Sequence, residues 1–226
     1  MKILKKIVKI ILTFIAVTAS ALLICFANHR IKLSDEDKLF HTMGTPVTVD
    51  GHTMNVYTEG SGDVTLVFMS GGGTCSPVLD FKSLYSLLSG RYRIAVVEKF
   101  GYGFSDVLNT DRDIDSMLED TRTALSTAGL KAPYVLCPHS MSGLEALRWA
   151  QKYPDEVSAI VGLDMAVPRY YESMDINIPL MRLASFAAQI GVTRIIPGIS
   201  ESDAILYGTL TDEEKEVYRA VFYRRT

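Results

Sequence analysis

The stretch VLCPHSMSGLEALRWAQKYP, Val135 to Pro154, says most about how the chain is built. A short apolar run stops at Pro138-His139, Ser140 follows, and helical spacing starts at once. A strand–serine–helix corner has a physical use. The turn lifts the hydroxyl out of the backbone at the carboxyl end of a sheet. The next amide then points where an oxyanion would form, at the start of a helix whose dipole favours negative charge. Small residues are needed two positions either side, where strand and helix come close.

Outward from this corner, strands and helices alternate. TPVTVDGHTMNVYTEG holds two alternating runs around Asp50-Gly51, a hairpin signal. DVTLVFMSGGG, YRIAVVEKFGYGFSD, APYVLCP and VSAIVGLDMAVP each read as a buried strand. SPVLDFKSLYSLLSG, DIDSMLEDTRTALSTAGL and SGLEALRWAQKYP have helical spacing between them. Buried strands alternating with helices predict an α/β fold, a mostly parallel sheet with helices on both faces. From Pro168 the pattern is helical, with Thr211 or Asp212 as cap of the last helix and Glu214 in the capping-box position for Thr211.

Pro138-His139-Ser140-Met141-Ser142-Gly143 resembles the nucleophile elbow of α/β-hydrolases, commonly G-H-S-M-G-G. The resemblance extends to Ser70-Gly71-Gly72-Gly73, where the family usually has the oxyanion loop H-G-x-G. It extends also to VVEKFGYGFSD, similar to D-x-x-G-x-G-x-S with Glu98 at the acid and Ser105 at the serine, and to ALRWAQKYPDEVSAIVGLD. It covers about residues 45 to 167, with a lid continuing to 226. The family resembled includes proline iminopeptidases and esterases. It implies Ser140 as nucleophile and the amides of Gly72 and Met141 as oxyanion donors. Asp164, after the sixth strand, is a possible triad acid or a residue ordering the turn before Pro168. Glu98 is expected to stabilise its turn. Tyr102 either faces the cleft or shields it. Pro138, Ser142 and Ser70 depart from the usual glycines and histidine, so the Ser70 turn is expected to be held differently.

A serine hydroxyl needs a base, and the base a third group to orient it. In the family the order is serine, acid, histidine, the last two after the seventh and eighth strands. Those two strands are not recognisable here, so the sequence reads as C-terminally truncated within a lid just begun. The four histidines are His29, His41, His52 and His139. In the family's strand order, 1-2-4-3-5-6, His52 would lie three strands from the fifth, about 14 Å away and too far for a hydrogen bond. His139 is expected to point away from Ser140. The sixth strand would then be an apolar edge, open to self-association or to a complementing chain.

Residues 1–30 carry five Lys and Arg and no acid, while the rest carries 18 against 26 Asp and Glu, a net of −8. That balance argues against nucleic acid as a partner. Four lysines precede an uncharged run, Ile10 to Ala27, about 27 Å long as a helix and close to a bilayer core. The lysines favour a single-pass anchor in the cell membrane, N-terminus cytoplasmic and hydrolase domain outside. A cleaved signal peptide competes, since Ala19-Ser20-Ala21 resembles a cleavage site, and LLIC faintly resembles a lipoprotein box. The expected division is a basic segment 1–9, an anchor 10–27, a polar stalk 28–44, a hydrolase core 45–167 and a helical lid 168–226. Cys25, Cys75 and Cys137 lack paired spacing, and nothing calls for a metal or cofactor. The lid aromatics Tyr170, Tyr171 and Phe186 are expected to serve packing. Three functions fit: a membrane-anchored serine hydrolase of a small ester, amide or peptide; an inactive fragment or half of a split hydrolase; and a non-catalytic binding module.

Overall fold

The computed structural model describes residues 2–172 and 174–225. Met1, Ser173 and Thr226, which fall in the expected basic segment and lid, lie outside the described residues. The chain opens with helix α1, Lys2–Glu36, followed by a 3-10 turn at Asp37–Leu39. The helix runs past the apolar segment, so most of the expected stalk is helical. No Gly or Pro interrupts Asn28 to Glu36, and nothing there favours leaving the helix.

Strands β1, Thr45–Val49, and β2, His52–Glu59, form the expected antiparallel hairpin. Asp50 (φ 49°) and Gly51 (φ 80°) both adopt the left-handed conformation that its two-residue turn demands. After β3, Thr65–Met69, the helix expected from Pro77 is interrupted at Phe81 into α2, Pro77–Asp80, and α3, Lys82–Tyr85. Then come β4, Arg93–Glu98, α4, Ile114–Thr127, β5, Tyr134–Ser140, and α5, Ser142–Lys152. The strand expected over Val157–Pro168 is two pieces, β6, Val157–Ile160, and β7, Leu163–Met165. Both pair with β5 in parallel, with register shifts. The second shift falls between His139 and Ser140, where β5 turns out of the extended conformation, so a partner strand has to break to follow it.

The sheet order is β1-β2-β4-β3-β5-β6, with β7 beside the end of β5. Pairing is antiparallel on the β1–β2–β4 side and parallel elsewhere. Alternation along each strand feeds two cores. Val67, Met69, Ala95, Val97 and Leu136 meet α4 and α5, whose Leu118, Leu125, Ala146 and Trp149 are buried with them. Leu66, Phe68, Ile94, Val96 and Cys137 meet Val78 of α2 and Tyr85 of α3. Burial on both faces is why these strands read as unbroken apolar runs.

The C-terminal part holds α6, Pro168–Tyr171, α7, Ile178–Gln189, α8, Asp203–Leu206, and α9, Asp212–Arg225. The Thr211 hydroxyl accepts from the Glu214 amide at 3.2 Å and the Glu214 carboxylate from the Thr211 amide at 2.8 Å, completing the capping box. Val217, Tyr218 and Val221 of α9 bury Leu79 and Phe104, which lays α9 over the end of the sheet where the strands deliver their loops. Tyr170 and Phe186, expected to pack, are exposed instead, because neither α6 nor α7 has a covering layer among the described residues.

Trp149 of α5 sits in the core between the sheet and α4–α5. It is fully buried, and its indole donates to Glu156 at 2.8 Å. Trp149→Ala is expected to cost about 3–5 kcal/mol of stability, read as a lowered urea midpoint with an unchanged slope.

Candidate active site

Ser140 ends β5 with φ at 50°, a left-handed backbone at a residue with a Cβ. Met141 is already helical (φ −56°, ψ −28°), and its carbonyl accepts from Leu144 at 3.1 Å. The corner is held from three sides. The Ser142 hydroxyl bridges the carbonyls of Met69 (2.7 Å) and His139 (2.9 Å), pinning the end of β3 to the corner. At Gly143 a Cβ would run into the carbonyl of Ala166, just after β7. At Gly71 a Cβ would sit 2.6 Å from the Ser140 Cβ and 3.1 Å from its Oγ, so only glycine backbone can lie against the hydroxyl there.

The loop Ser70–Gly73 rises from β3 beside this corner. Gly73 is left-handed (φ 78°), and the Thr74 hydroxyl donates to the Gly71 carbonyl at 3.2 Å, closing the turn. Gly72 faces Met141: a Cβ on it would lie 3.5 Å from the Met141 Cε. The two residues expected to donate oxyanion amides are therefore on facing segments. A cavity of about 450 Å3 opens alongside, lined among others by Gly72, Cys75, Asp80, His139, Ser202 and Tyr218. Asp80 accepts from the Tyr218 phenol at 3.0 Å and the Ser76 amide at 3.2 Å. Burial pushes its carboxyl up to about 6, against the pull of those two hydrogen bonds.

Three buried charged groups brace the site from below. Glu98 accepts from the Phe104 amide (2.7 Å), Asn55 Nδ2 (3.0 Å), Ser76 Oγ (3.3 Å) and the Val78 amide (3.4 Å). Burial raises its pKa, and the Phe104 amide leads the bonds that hold it down. Gly103 (φ 48°) leaves room for this carboxyl, where any Cβ would collide. The expected turn-stabilising role of Glu98 matches this geometry. Beside it, Lys99 pairs with Glu145 at 2.5 Å and donates to the Ser70 carbonyl at 3.2 Å. The Thr121 hydroxyl donates to the other Glu145 oxygen at 2.6 Å. Glu145 has no exposed surface and Lys99 5%. This pair joins β4, α4 and α5 to the residue that precedes the oxyanion glycines. Here is how the Ser70 turn is held.

Sequence reasoning missed Lys99, Glu145 and Asp80. A signal for Glu145 was present: Ser142, Glu145, Ala146 and Trp149 share one helix face. The remaining predicted residues are less closely joined to Ser140. Tyr102 is half-buried, its amide donating to the Lys99 carbonyl at 2.9 Å; burial, then the Glu145 charge, pushes its phenol up. Asp164 is exposed on β7 with φ at 50°, and no hydrogen bond or ion pair engages its carboxylate among the described residues. His41 is exposed, His52 packs edge-on against Phe100, His139 packs edge-on against Phe81, and His29 accepts from Arg194. None of the four hydrogen-bonds Ser140 among the described residues. The three cysteines are free thiols, and no three His, Cys, Asp or Glu side chains converge as a metal site among the described residues.

Lys99→Met strands Glu145 as an unpaired buried carboxylate and is expected to cost about 3–5 kcal/mol, read by urea denaturation. Replacing both partners, with Glu145→Leu, should restore much of the loss. For Asp80 the folded-state pKa lies above the unfolded 3.8. Its contribution is thus full below that value and lost as pH rises through about 6. The wild type should gain stability from pH 7 to pH 5 relative to Asp80→Asn, measured as paired melting curves.

Comparison with known proteins agrees with this architecture. Residues 64–187 match the model of the family described as alpha/beta hydrolase fold. The protein YbdG of Bacillus subtilis is 44% identical over 232 residues, covering all of this chain and 71% of YbdG. The 2-(acetamidomethylene)succinate hydrolase of Mesorhizobium japonicum is 28% identical over 135 residues, 60% of this chain and 47% of that protein. Among solved structures, a thermophilic esterase from Thermogutta terrifontis superposes with a TM-score of 0.52 at 19% identity, covering 79% of this chain and 70% of the esterase. The chain spans less than half of the Mesorhizobium hydrolase it matches. With more than half of its residues matched by that family's model, the chain belongs to the α/β hydrolase fold family.

Proposed function

We propose that the protein is a membrane-anchored serine hydrolase acting on a small ester, amide or peptide. The observation that carries this is the left-handed Ser140 with the glycine backbone of residue 71 laid against its hydroxyl. Ser140 Oγ adds to the substrate carbonyl while its proton passes to a base. The amides of Gly72 and Met141 hold the resulting oxyanion. Collapse expels the alcohol or amine, which takes the proton, and water repeats the sequence to free the acid. The cavity beside Gly72 receives the acyl or leaving group. Tyr102, half-buried beside Lys99, either faces the cleft or shields it.

The base is the part that no described histidine supplies. A second reading therefore stands beside the first, favoured by one observation: β6 ends the sheet with Ser158 and Ala159 exposed. On this reading a complementing chain or segment joins there and brings the base, with Asp164 as a possible acid. α1 is long and apolar enough to cross a membrane. We assign it as a single-pass anchor with Lys2, Lys5, Lys6 and Lys9 on the cytoplasmic side and the hydrolase domain outside.

A fluorophosphonate probe should label the full chain at Ser140, and Ser140→Ala should abolish the adduct in intact-mass spectra. Labelling that survives the substitution removes the nucleophile assignment. If the label appears only when a second polypeptide is added, the complemented form is the working one.

A further inference from the structure

The apolar run of α1 ends at Ala27, and the lid is docked onto that end. At Gly191, just beyond α7, a Cβ would collide with the His29 side chain and lie 3.1 Å from the Cys25 carbonyl. Cys25 is still inside the run. Gly191 is left-handed (φ 77°), so glycine is needed there twice over, for its backbone angle and for the contact. Arg194 then fastens the join. Its Nε donates to His29 Nδ1 at 2.8 Å, and its two terminal nitrogens donate to Glu36 at 2.7 and 2.6 Å. Arg194 also stacks over Tyr223 of α9 at 4.0 Å, and Arg224 pairs with Asp37. His29 lies two residues past the run, about 3 Å along the axis. Whatever surrounds the end of the run therefore meets the C-terminal end of α7 as well.

The helix α7 has the surface for such a place. Leu180, Leu183 and Phe186 are 60%, 63% and 55% exposed, and Ile195 and Ile196 just beyond are 66% and 48% exposed. Arg182, Ser185 and Gln189 are the polar side chains of α7 and recur at helical spacing, with Gln189 Nε2 donating to Ser185 Oγ at 3.3 Å; Ile178 and Met181 beside them are exposed as well. A helix with so much exposed apolar surface and few polar side chains is one that a bilayer's interfacial region would accept. An apolar surface of this kind on a soluble face would call for a partner. The contact at Cys25 says which partner is within reach.

We propose that α7 lies in the interface of the bilayer that α1 crosses, with Leu180, Leu183 and Phe186 against the acyl chains and Arg182 toward the headgroups. The proposal rests on the reading of α1 as a membrane span. The lid is then a membrane-bound element, and the cavity beside Gly72 is served from the lipid surface.

Tryptophan depth measurement tests it. The full chain is reconstituted in phosphatidylcholine vesicles with and without brominated acyl chains. Trp149, the chain's one tryptophan, is fully buried and gives the background. Leu183→Trp, at an exposed position that leaves the core intact, should be blue-shifted and quenched by the brominated lipid. Phe14→Trp, in the middle of the run, should be quenched too, and Ser185→Trp less than Leu183→Trp. Quenching at position 14 without quenching at 183 overturns the proposal and leaves the span standing. That holds also when the 183 emission is blue-shifted but unquenched, the sign of a protein cover such as a second copy. No quenching at either position removes the span and the proposal with it.

Discussion

A serine held at a positive φ is a local cost of about 1–3 kcal/mol, and such a conformation lasts only where the surroundings over-determine it. At Ser140 they do. The Ser142 hydroxyl is bonded to the ends of two strands, Gly143 is closed in by the Ala166 carbonyl, and Gly71 presses on the Ser140 side chain. These contacts join β3 and the loop after it, α5, and the chain after β7. The corner therefore cannot relax unless β3, α5 and the chain after β7 move together. The break between β6 and β7 has the same origin: the turn at Ser140 shifts the register its neighbour must follow.

Around this corner the fold places charge where bulk solvent is absent. Glu98 and the Lys99–Glu145 pair are costly to bury, and each is tolerated because its polar atoms are nearly all engaged. Where the family resemblance led to the expectation of a histidine before Gly71 stands Ser70, whose carbonyl is held by Lys99. A lysine just after β4 thus orders this turn from beneath.

Much of this was legible in the sequence, for identifiable reasons. The alternation of strands and helices followed from apolar runs long enough to be buried on both faces, and the hairpin from the Asp50-Gly51 turn; the strand order was implied by the family resemblance. The corner could be placed because small residues flank Ser140 where strand and helix approach closely, and the family resemblance pointed to the loop at Ser70–Gly73 beside it. What was not legible depends on long-range contact. Lys99 reads as a surface lysine after a strand until Glu145 is seen beneath it. The split of β6 from β7 depends on a backbone angle in β5. The continuation of α1 to Glu36 was hidden by its polar composition, since charged residues suit an exposed helix as well as a loop. The lid aromatics look like core residues in sequence, and only the absence of a covering layer among the described residues sets Tyr170 and Phe186 apart.

The unbroken α1 has a mechanical consequence. No glycine or proline interrupts Lys2–Glu36, and Arg194 spans from His29 to Glu36 without a loop between. A flexible tether lets a domain tumble and sweep a hemisphere. A stiff helix with its load bolted to the side behaves as a mast: the domain turns with the helix about its long axis and keeps one height. From Ala27 to Glu36 that height is about 14 Å. Set in a bilayer, such a helix would hold the domain at one fixed distance from the surface.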